Sequence, residues 1–315
     1  MEINMFDTVI TDTFVLQRHY IFREGYIFTA MTEPANVYDA IVIRHPSDCD
    51  CWTPKLGHSS RTLDEHIRFI NEHHITKAII IAESIDFIRQ CPSLHELMII
   101  PADSAPVPFS YIPLYHSDIH YLDCRTSYGG STEPFHTEID YSHFPQLEGL
   151  RFFGRGHKNY EELKNLETLW ISKMPEIKAF PSLKSFYTLK YINIFQCGLT
   201  SLTGIADFSE LRSIDLSYNR SLSTLNDLVH ISLNLKELTI MNCPKIHDFS
   251  FLSKLTNLRV LNLIGNNKIP DLSFLEQMSQ LDTFRFSMDV VNGDLSLCQN
   301  IRNVKCLRHR NHYNR

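Results

Sequence analysis

The sequence has 315 residues, of which 43% are hydrophobic and 21% are charged, and its formal net charge is −6. These values are typical of an ordinary soluble protein, and the mild acidity does not favour a nucleic-acid-binding surface. No apolar run approaches the length of about 18 residues that a membrane-spanning helix needs. The eight Cys residues have no paired spacing, and acidic residues stand near the start, where a signal peptide would be basic. We therefore expect a cytoplasmic chain with reduced thiols.

Residues 1–61 contain no repeat, but three stretches have the apolar and β-branched character of strands. These stretches are residues 14–19, 25–31 and 37–44. They are followed by a loop in which four side chains could hold zinc. The four are His45, Cys49, Cys51 and His58. A single residue separates the two Cys, which is closer than in structural zinc sites, so an ordinary loop is the favoured interpretation.

A helix is predicted to begin after Thr62. Thr62 and Glu65 have the spacing of a capping box, in which each side chain bonds to the backbone N–H of the other residue. Leu63, Ile67 and Ile70 recur at helical spacing and would form the apolar face of this helix.

Residues 235–278 contain one pattern written twice, 23 residues apart. The first copy has Leu235, Leu238, Ile240, Cys243, Ile246 and Phe249 where the second has Leu258, Leu261, Leu263, Asn266, Ile269 and Leu272. The two-residue step from Leu261 to Leu263 is typical of a strand, because successive strand side chains point to opposite faces. Asn266, or the Cys243 thiol, would donate to carbonyl groups that the turn after the strand leaves unpaired. The three-residue steps that follow favour a 3₁₀ or short helical return segment.

This pattern, L-x-x-L-x-L-x-x-(N/C)-x-L, resembles the leucine-rich repeat, and its short units are most similar to the internalin type and to bacterial cytosolic members. One unit cannot bury its apolar stripe alone, so units must stack. The resemblance implies an α/β solenoid with a parallel sheet on a concave, protein-binding face and short 3₁₀ or helical segments on the convex side. Residues 1–74 are then an N-terminal cap, 75–309 the solenoid and 310–315 a C-terminal tail.

Eleven units can be indexed by their first apolar residue. These residues are Ile75, Leu94, Ile119, Leu147, Leu166, Leu189, Leu211, Leu235, Leu258, Leu281 and Ile301. The units from Leu166 to Leu281 are regularly spaced, and their strands are predicted to form one parallel sheet in chain order. Earlier units are irregular, with loops rich in Pro, Gly and Ser at residues 101–113 and 126–138.

Strand alternation also predicts which side chains point away from the core. The middle column of these is Asp123, Arg151, Trp170, Asn193, Asp215, Thr239, Asn262, Arg285 and Lys305. Aromatic and Arg side chains, which are enriched in binding hot spots, concentrate between residues 121 and 195. The candidate partner-binding residues are Tyr121, Asp123, Arg125, Arg151, Phe153, Trp170, Tyr191 and Phe195.

Within this set, Trp170 is the predicted energetic centre, with Arg151 and Tyr191 as its nearest supports. The alternative is that the Trp170 indole lies inside, covered by the loop between Tyr128 and His143.

No catalytic residue, metal site or cofactor is predicted. Phosphate-loop and dinucleotide-binding patterns are absent from the sequence. A second group of Cys and His residues lies near the end of the sequence. One of them, Cys306, is at a core position of the repeat, and the two His residues are close to the chain terminus. Its members are Cys298, Cys306, His309 and His312. We therefore do not predict zinc there.

The favoured function is a non-catalytic module that binds a partner protein, and the resemblance suggests a bacterial immunity or effector-binding role. One alternative is a nucleic-acid or small-ligand binder, which would need a basic groove. Arg125, Arg151 and Arg285 are offset by Asp123 and Asp215, so such a groove is not indicated. The least favoured alternative is an effector enzyme with a Cys nucleophile, which would need a base beside the thiolate.

Overall fold

The computed structural model describes residues 19–23, 26–30, 40–44, 59–102, 105, 109–115, 117–125, 138–154, 156–180 and 186–314. The candidate zinc ligands of the loop at residues 45–58 and the loop at residues 126–137 therefore lie outside the described residues. The chain divides into two compact units, residues 1–166 and 167–315. Each unit is described by itself.

The first unit contains nine strands and one α-helix among its described residues. They are β1 (His19–Arg23), β2 (Tyr26–Ala30), β3 (Ala40–Arg44), α1 (Leu63–Glu72), β4 (Lys77–Ala82), β5 (Glu96–Pro101), β6 (Tyr121–Arg125), β7 (Ile139–Asp140), β8 (Gly149–Phe153) and β9 (His157–Lys158). β1, β2 and β3 are antiparallel neighbours, and from β3 the sheet continues in parallel through β4, β5, β6 and β8. The short strands β7 and β9 pair separately.

The described residues of the second unit form nine further strands. They are β10 (Thr168–Ser172), β11 (Tyr191–Phe195), β12 (Ser213–Ser217), β13 (Glu237–Met241), β14 (Val260–Ile264), β15 (Lys268–Ile269), β16 (Thr283–Phe286), β17 (Asp289–Val290) and β18 (Asn303–Cys306). Seven of these form one parallel sheet in the order β10, β11, β12, β13, β14, β16 and β18. The predicted parallel sheet in chain order is therefore confirmed for this unit. β15 and β17 form a separate pair.

Short 3₁₀ helices connect many of the strands. In the first unit they are Asp86–Gln90, Ile112–Leu114, Tyr141–His143 and Tyr160–Glu162. In the second unit they are Ile205–Asp207, Asn226–Ile231, Ser250–Lys254, Ser273–Gln277 and Ser296–Asn300. The predicted return segments are thus present, as is the leucine-rich-repeat architecture. In all eleven indexed units the strand begins two residues after the indexed apolar residue, as β11 does after Leu189.

The inward positions of the repeat form the core. Leu261 and Leu263 are 0% exposed, and their counterparts Leu238 and Ile240 on the preceding strand are equally buried. Because the strands are in register, each inward side chain stacks on its counterpart in the next repeat. Burial of the apolar stripe therefore depends on neighbouring repeats.

Side chains at the turn after each strand hydrogen-bond to backbone groups of the repeat. Asn219 donates through Nδ2 to the carbonyls of Ile194 at 2.7 Å and Ser217 at 3.2 Å, and its Oδ1 accepts from the Cys197 N–H at 3.0 Å. The Cys243 thiol donates to the Leu216 carbonyl at 3.3 Å. The predicted role of Cys243 is confirmed, and it explains why a thiol can stand where other units have Asn.

The predicted role of Asn266 is wrong by one residue. Asn266 is exposed, and the buried side chain of Asn267 instead donates to the carbonyls of Cys243 at 3.0 Å and Ile246 at 2.7 Å. The chain is one residue longer between the end of β14 and this turn than it is after β13. Gly265, with φ of +142°, accommodates the additional residue. Spacing alone could not reveal this shift, because Asn occupies both positions.

A left-handed residue follows each of four consecutive strands in the second unit. These residues are Lys173, Gln196, Tyr218 and Asn242, with φ between 50° and 58°. In this conformation each backbone N–H reaches the end of the next strand, as when Gln196 donates to the Ser217 carbonyl at 3.0 Å. None of the four is Gly, so each position stores conformational strain that the ladder offsets.

The predicted capping box of α1 is present. Thr62 Oγ1 accepts from the Glu65 N–H at 3.3 Å, and Glu65 Oε2 accepts from the Thr62 N–H at 2.8 Å. The buried face differs from the predicted one, because His66 and Ile70 are buried while Leu63 is 43% exposed. His66 can be buried because its Nδ1 lies 2.8 Å from the Thr62 carbonyl, an acceptor that satisfies the ring N–H.

Residues 310–314, which fall in the predicted C-terminal tail, are packed. Tyr313 is 7% exposed, and its hydroxyl accepts from the Val290 N–H at 3.0 Å and donates to the Met288 carbonyl at 3.2 Å. Asn314 donates to the Gly293 carbonyl at 2.8 Å. These contacts cover the last return segment, so residues 310–314 belong to the folded second unit.

Candidate functional site

We call the side of each sheet that faces away from the leucine-lined core the outer face. In the second unit the predicted middle column of this face is in register across all seven strands. Its pairs run from Trp170 on β10 through Asn193, Asp215, Thr239, Asn262 and Arg285 to Lys305 on β18. Alternation along each strand therefore positions one continuous row of side chains over the sheet.

An aromatic group occupies the outer face at β10 and β11. Trp170, Tyr191 and Phe195 are each half-buried, whereas the inward neighbours of Trp170, Leu169 and Ile171, are at most 1% exposed. Because these neighbours anchor the backbone in the core, the indole is directed to the outer face. The Phe195 ring also packs against the ring of Tyr218, with centroids 5.2 Å apart. The group is therefore well fixed but still partly accessible.

The centre of the same face is polar but has little exposure, which the sequence did not predict. Asn193, Asp215, Thr239 and Asn262 are between 3% and 6% exposed. Asn262 donates through Nδ2 to Thr239 Oγ1 at 2.9 Å, and the Ser217 hydroxyl donates to Asp215 Oδ1. We refer to these four middle-column residues as the polar row.

Asp215 is the ionisable member of the polar row. Burial raises the pKa of its carboxyl from 3.8 to about 7, and the hydrogen bond from Ser217 offsets this only in part. Near neutral pH the carboxyl is therefore present in both its protonated and its ionised form.

The first unit contains the other candidate residues. Tyr121 is half-buried and lies over Gly149 on the adjacent strand, where an added Cβ would come within 2.0 Å of Tyr121 Cδ1. Asp123 is 0% exposed, and its Oδ2 lies 3.5 Å from Nη1 of Arg151. Its carboxylate thus supports Arg151 and presents no exposed contact of its own. Phe153 is half-buried, and the side chain of Arg125 lies outside the described part of the structure.

The outer face of β3, β4 and β5 is not an open surface. Six buried apolar side chains form a cluster there, and Tyr121 packs against it. The six are Ala40, Val42, Ile79, Ile81, Met98 and Ile100. Since the inward residues of β4, such as Ile80, are also fully buried, these strands are apolar on both faces. The candidate partner-binding residues of this unit lie on the neighbouring strands β6 and β8.

The buried thiols among the described Cys residues are unsuited to nucleophilic catalysis. The six described Cys are free. Burial raises the pKa of Cys91, Cys197 and Cys298 to about 11 and that of Cys243 to about 12. A thiol with so high a pKa supplies little thiolate near neutral pH. Cys49 and Cys51 lie outside the described residues.

A buried polar cluster in the first unit is structural in character. The Tyr141 hydroxyl bonds to His157 Nδ1 at 2.8 Å, and burial lowers the pKa of His157 to about 4 while raising those of Cys124 and Tyr141. All three groups are therefore held neutral at neutral pH. Tyr141 and Cys124 are 0% exposed, so substrate cannot reach them.

Within the described ranges, no group of three or more His, Cys, Asp or Glu side chains is arranged to hold a metal ion. Cys298, Cys306, His309 and His312 lie within these ranges and form no such group. In the same part of the chain no helix is both long enough and apolar enough to cross a bilayer.

Comparisons with known proteins agree with this geometry. A family model described as leucine-rich repeats in two copies matches residues 233–277. An internalin (inlF) from Listeria monocytogenes has a similar structure, with a TM-score of 0.50 and 20% identity over 75% of this chain and 67% of that chain. Internalin C2 of the same organism gives a TM-score of 0.41 and 17% identity, over 61% of this chain and 80% of that chain. No curated protein matches the chain. The structural likeness concerns the fold alone.

Proposed function

We propose that this chain, an internalin-like leucine-rich-repeat protein, is a non-catalytic module that binds a partner protein on the outer face of its sheet. Leucine-rich-repeat folds commonly mediate protein–protein interaction, and the outer face corresponds to the concave face expected of the family. The polar row and the aromatic group of the second unit would be the contact surface.

The observation that carries this proposal is the aromatic group at Trp170, Tyr191 and Phe195. Aromatic side chains supply large contact area with little loss of conformational entropy, and they dominate many binding hot spots. The three are half-buried on adjacent, rigid strands. A partner can therefore make apolar contacts with little loss of conformational entropy in this surface.

The experiment has two stages. The purified chain captures partners from its host, and mass spectrometry identifies one that is then purified and titrated by calorimetry. Trp170→Ala should weaken this binding by at least about 2 kcal/mol, as truncation of a hot-spot Trp does. Its melting temperature should change little, because the indole is only partly buried.

Tyr187→Ala is the matched control, since Tyr187 is an aromatic residue of the same unit that lies outside the sheet and is 61% exposed. This variant should bind like the wild type. Equal binding by Trp170→Ala and the wild type would refute the proposed site. Unfolding of Trp170→Ala would instead indicate a structural role for the indole, and Tyr191→Ala and Phe195→Ala would then decide whether the face binds.

The proposal includes a cytoplasmic location and an immunity or effector-binding role for the module. Free, buried thiols support the first part, because Cys197 and Cys243 act as hydrogen-bond donors in the repeat and would lose this role in disulfides. The raised thiol pKa values support a non-catalytic role. Fractionation of host cells tests the location, and identification of the captured partner tests the role.

A further inference from the structure

The polar row contains buried acceptor atoms that lack donors. Oδ1 of Asn193 and Oδ1 of Asn262 are buried and have no hydrogen-bond partner among the described residues. Each residue is 6% exposed, so solvent has little access to either side chain. Leaving such a group unpaired costs about 1–3 kcal/mol. A ligand that supplied donors to this row would recover part of that cost.

A charge without a counter-ion lies in the same row. Asp215 is in register with Asn193 on β11 and with Thr239 on β13. Its bonded partner in the described part of the chain is the neutral Ser217 hydroxyl, and no ion pair from that part compensates the carboxylate. Its raised pKa has the same physical origin, because burial without an opposite charge disfavours the ionised form.

We propose that Asp215 and Asn193 together receive the guanidinium group of an arginine side chain from the partner protein, an inference that rests on the function proposed above. The guanidinium is a planar fork of five N–H donors and is more weakly hydrated than an ammonium group. Adjacent strands lie about 4.8 Å apart, so one fork spans the carboxylate of Asp215 and the amide oxygen of Asn193. The unpaired Oδ1 of Asn193 is then satisfied and the buried charge of Asp215 is neutralised.

The flanking residues fit the rest of an arginine side chain. Tyr191 and Phe195 lie two residues before and after Asn193 on β11, so their rings stand on the same face at either side of it. An aliphatic arginine stem packs favourably on such rings, and its cation is attracted to their faces. A calcium ion fits poorly, since it needs six or more oxygen ligands and the row offers one carboxylate.

The test uses two acetylated tripeptide amides, Gly-Arg-Gly and Gly-citrulline-Gly, which have nearly the same shape but differ in charge. Each is titrated into the ¹⁵N-labelled full chain while the side-chain amide resonances of Asn193 and Asn262 are followed. Three proteins are compared: wild type, Asp215→Asn and Asp207→Asn. Asp207 undergoes the same chemical change on an exposed 3₁₀ helix of this unit, so it controls for net charge.

The arginine peptide should shift the Asn193 resonance saturably in the wild type and in Asp207→Asn. Its affinity should fall about tenfold or more in Asp215→Asn, and the citrulline peptide should bind the wild type about tenfold more weakly, a loss of about 1.4 kcal/mol in each case. Equal binding of the two peptides overturns the proposal, and it does so without any variant. Unchanged binding in a folded Asp215→Asn protein also overturns it.

The captured partner separates this inference from the proposed function. Binding that is weakened by Trp170→Ala but unchanged by Asp215→Asn would overturn the arginine site and leave the protein-binding function intact. Binding that is weakened by both variants supports both proposals.

Discussion

Asn219 Nδ2 lies 2.7 Å from the Ile194 carbonyl oxygen, which joins the turn of one repeat to the strand of the preceding one. Two further bonds of the same side chain reach Ser217 and Cys197. Asn267 and the thiol of Cys243 make related contacts in later repeats. The repeats are therefore connected by side-chain hydrogen bonds as well as by the strand ladder and the apolar core.

Replacing Asn219 with Ala should lower the free energy of unfolding by on the order of 2–4 kcal/mol. Three hydrogen bonds are lost, and the Cys197 N–H and Ile194 carbonyl are left buried without this partner. Urea denaturation measures the change. Asn266→Ala is the control, because Asn266 is exposed and should be nearly neutral; equal losses in the two variants would contradict the assignment of the turn positions.

The stability of Asp215→Asn relative to the wild type should increase as the pH rises. The folded pKa of about 7 lies above the ordinary 3.8, so the folded state retains a proton that the unfolded state loses. The free energy of unfolding of the wild type therefore falls as the pH rises from 4 to 7, and the loss is complete above pH 7.

The difference in unfolding free energy between Asp215→Asn and the wild type should thus be about 2–4 kcal/mol more favourable at pH 8 than at pH 4. Chemical denaturation at both pH values measures it, with Asp207→Asn as the exposed control. A difference that does not vary with pH would show that the carboxyl titrates normally.

Gln196→Val should destabilise the fold by about 1–2 kcal/mol, because a β-branched residue tolerates the left-handed region poorly. Gln196 has φ of 51° and an exposed side chain, so a loss of side-chain packing cannot explain such an effect. Gln196→Gly at the same position should be within about 0.5 kcal/mol of the wild type or more stable. Thermal melting compares the two, and the reverse order would refute the backbone argument.

Leu261→Ala should cost about 2–5 kcal/mol through lost burial and the cavity that remains. Leu261 is 0% exposed and in register with Leu238 and Phe284 on the neighbouring strands, so hydrogen exchange should rise first in those repeats. Val260→Ala, a half-buried neighbour, should cost much less. A denaturation midpoint of Leu261→Ala within error of the wild type would show that this side chain is not essential to the core.

Tyr313→Phe should cost about 1–3 kcal/mol, because the buried Val290 N–H loses its acceptor. Tyr187→Phe removes a hydroxyl from an exposed ring of the same unit and should have no effect. Equal melting temperatures for wild type and Tyr313→Phe would indicate that the C-terminal contact does not stabilise the unit.

The repeat geometry could be predicted from the sequence because it depends on local periodicity. The strand at Leu261 and Leu263 follows from a two-residue step, and the 3₁₀ segment after it follows from three-residue steps. The register between strands follows from the same pattern, because the apolar stripe of every repeat is buried only when equivalent residues of successive repeats stack on one another. Trp170 and Asn193 follow this rule, since they are paired in register on adjacent strands.

Features that depend on contacts between repeats were less predictable. Asn266 and Asn267 are adjacent and identical, so only the three-dimensional turn distinguishes them. Strand alternation indicates that Asp215 points to the outer face, but it does not indicate that this side chain is only 3% exposed. Tyr313 stands in a polar, basic stretch, and its burial is decided by the backbone groups of Met288 and Val290, which are distant in sequence.

The contact between Tyr121 and Gly149 has an evolutionary consequence. The Tyr121 ring occupies the space of any side chain at position 149 and also packs on the apolar cluster of β3, β4 and β5. A mutation of Gly149 alone would displace the ring and uncover that cluster, whereas a mutation of Tyr121 to a small residue would open a gap above Gly149. Among homologues, these two positions should therefore exchange size together, with an aromatic residue opposite Gly or a small residue opposite a larger one.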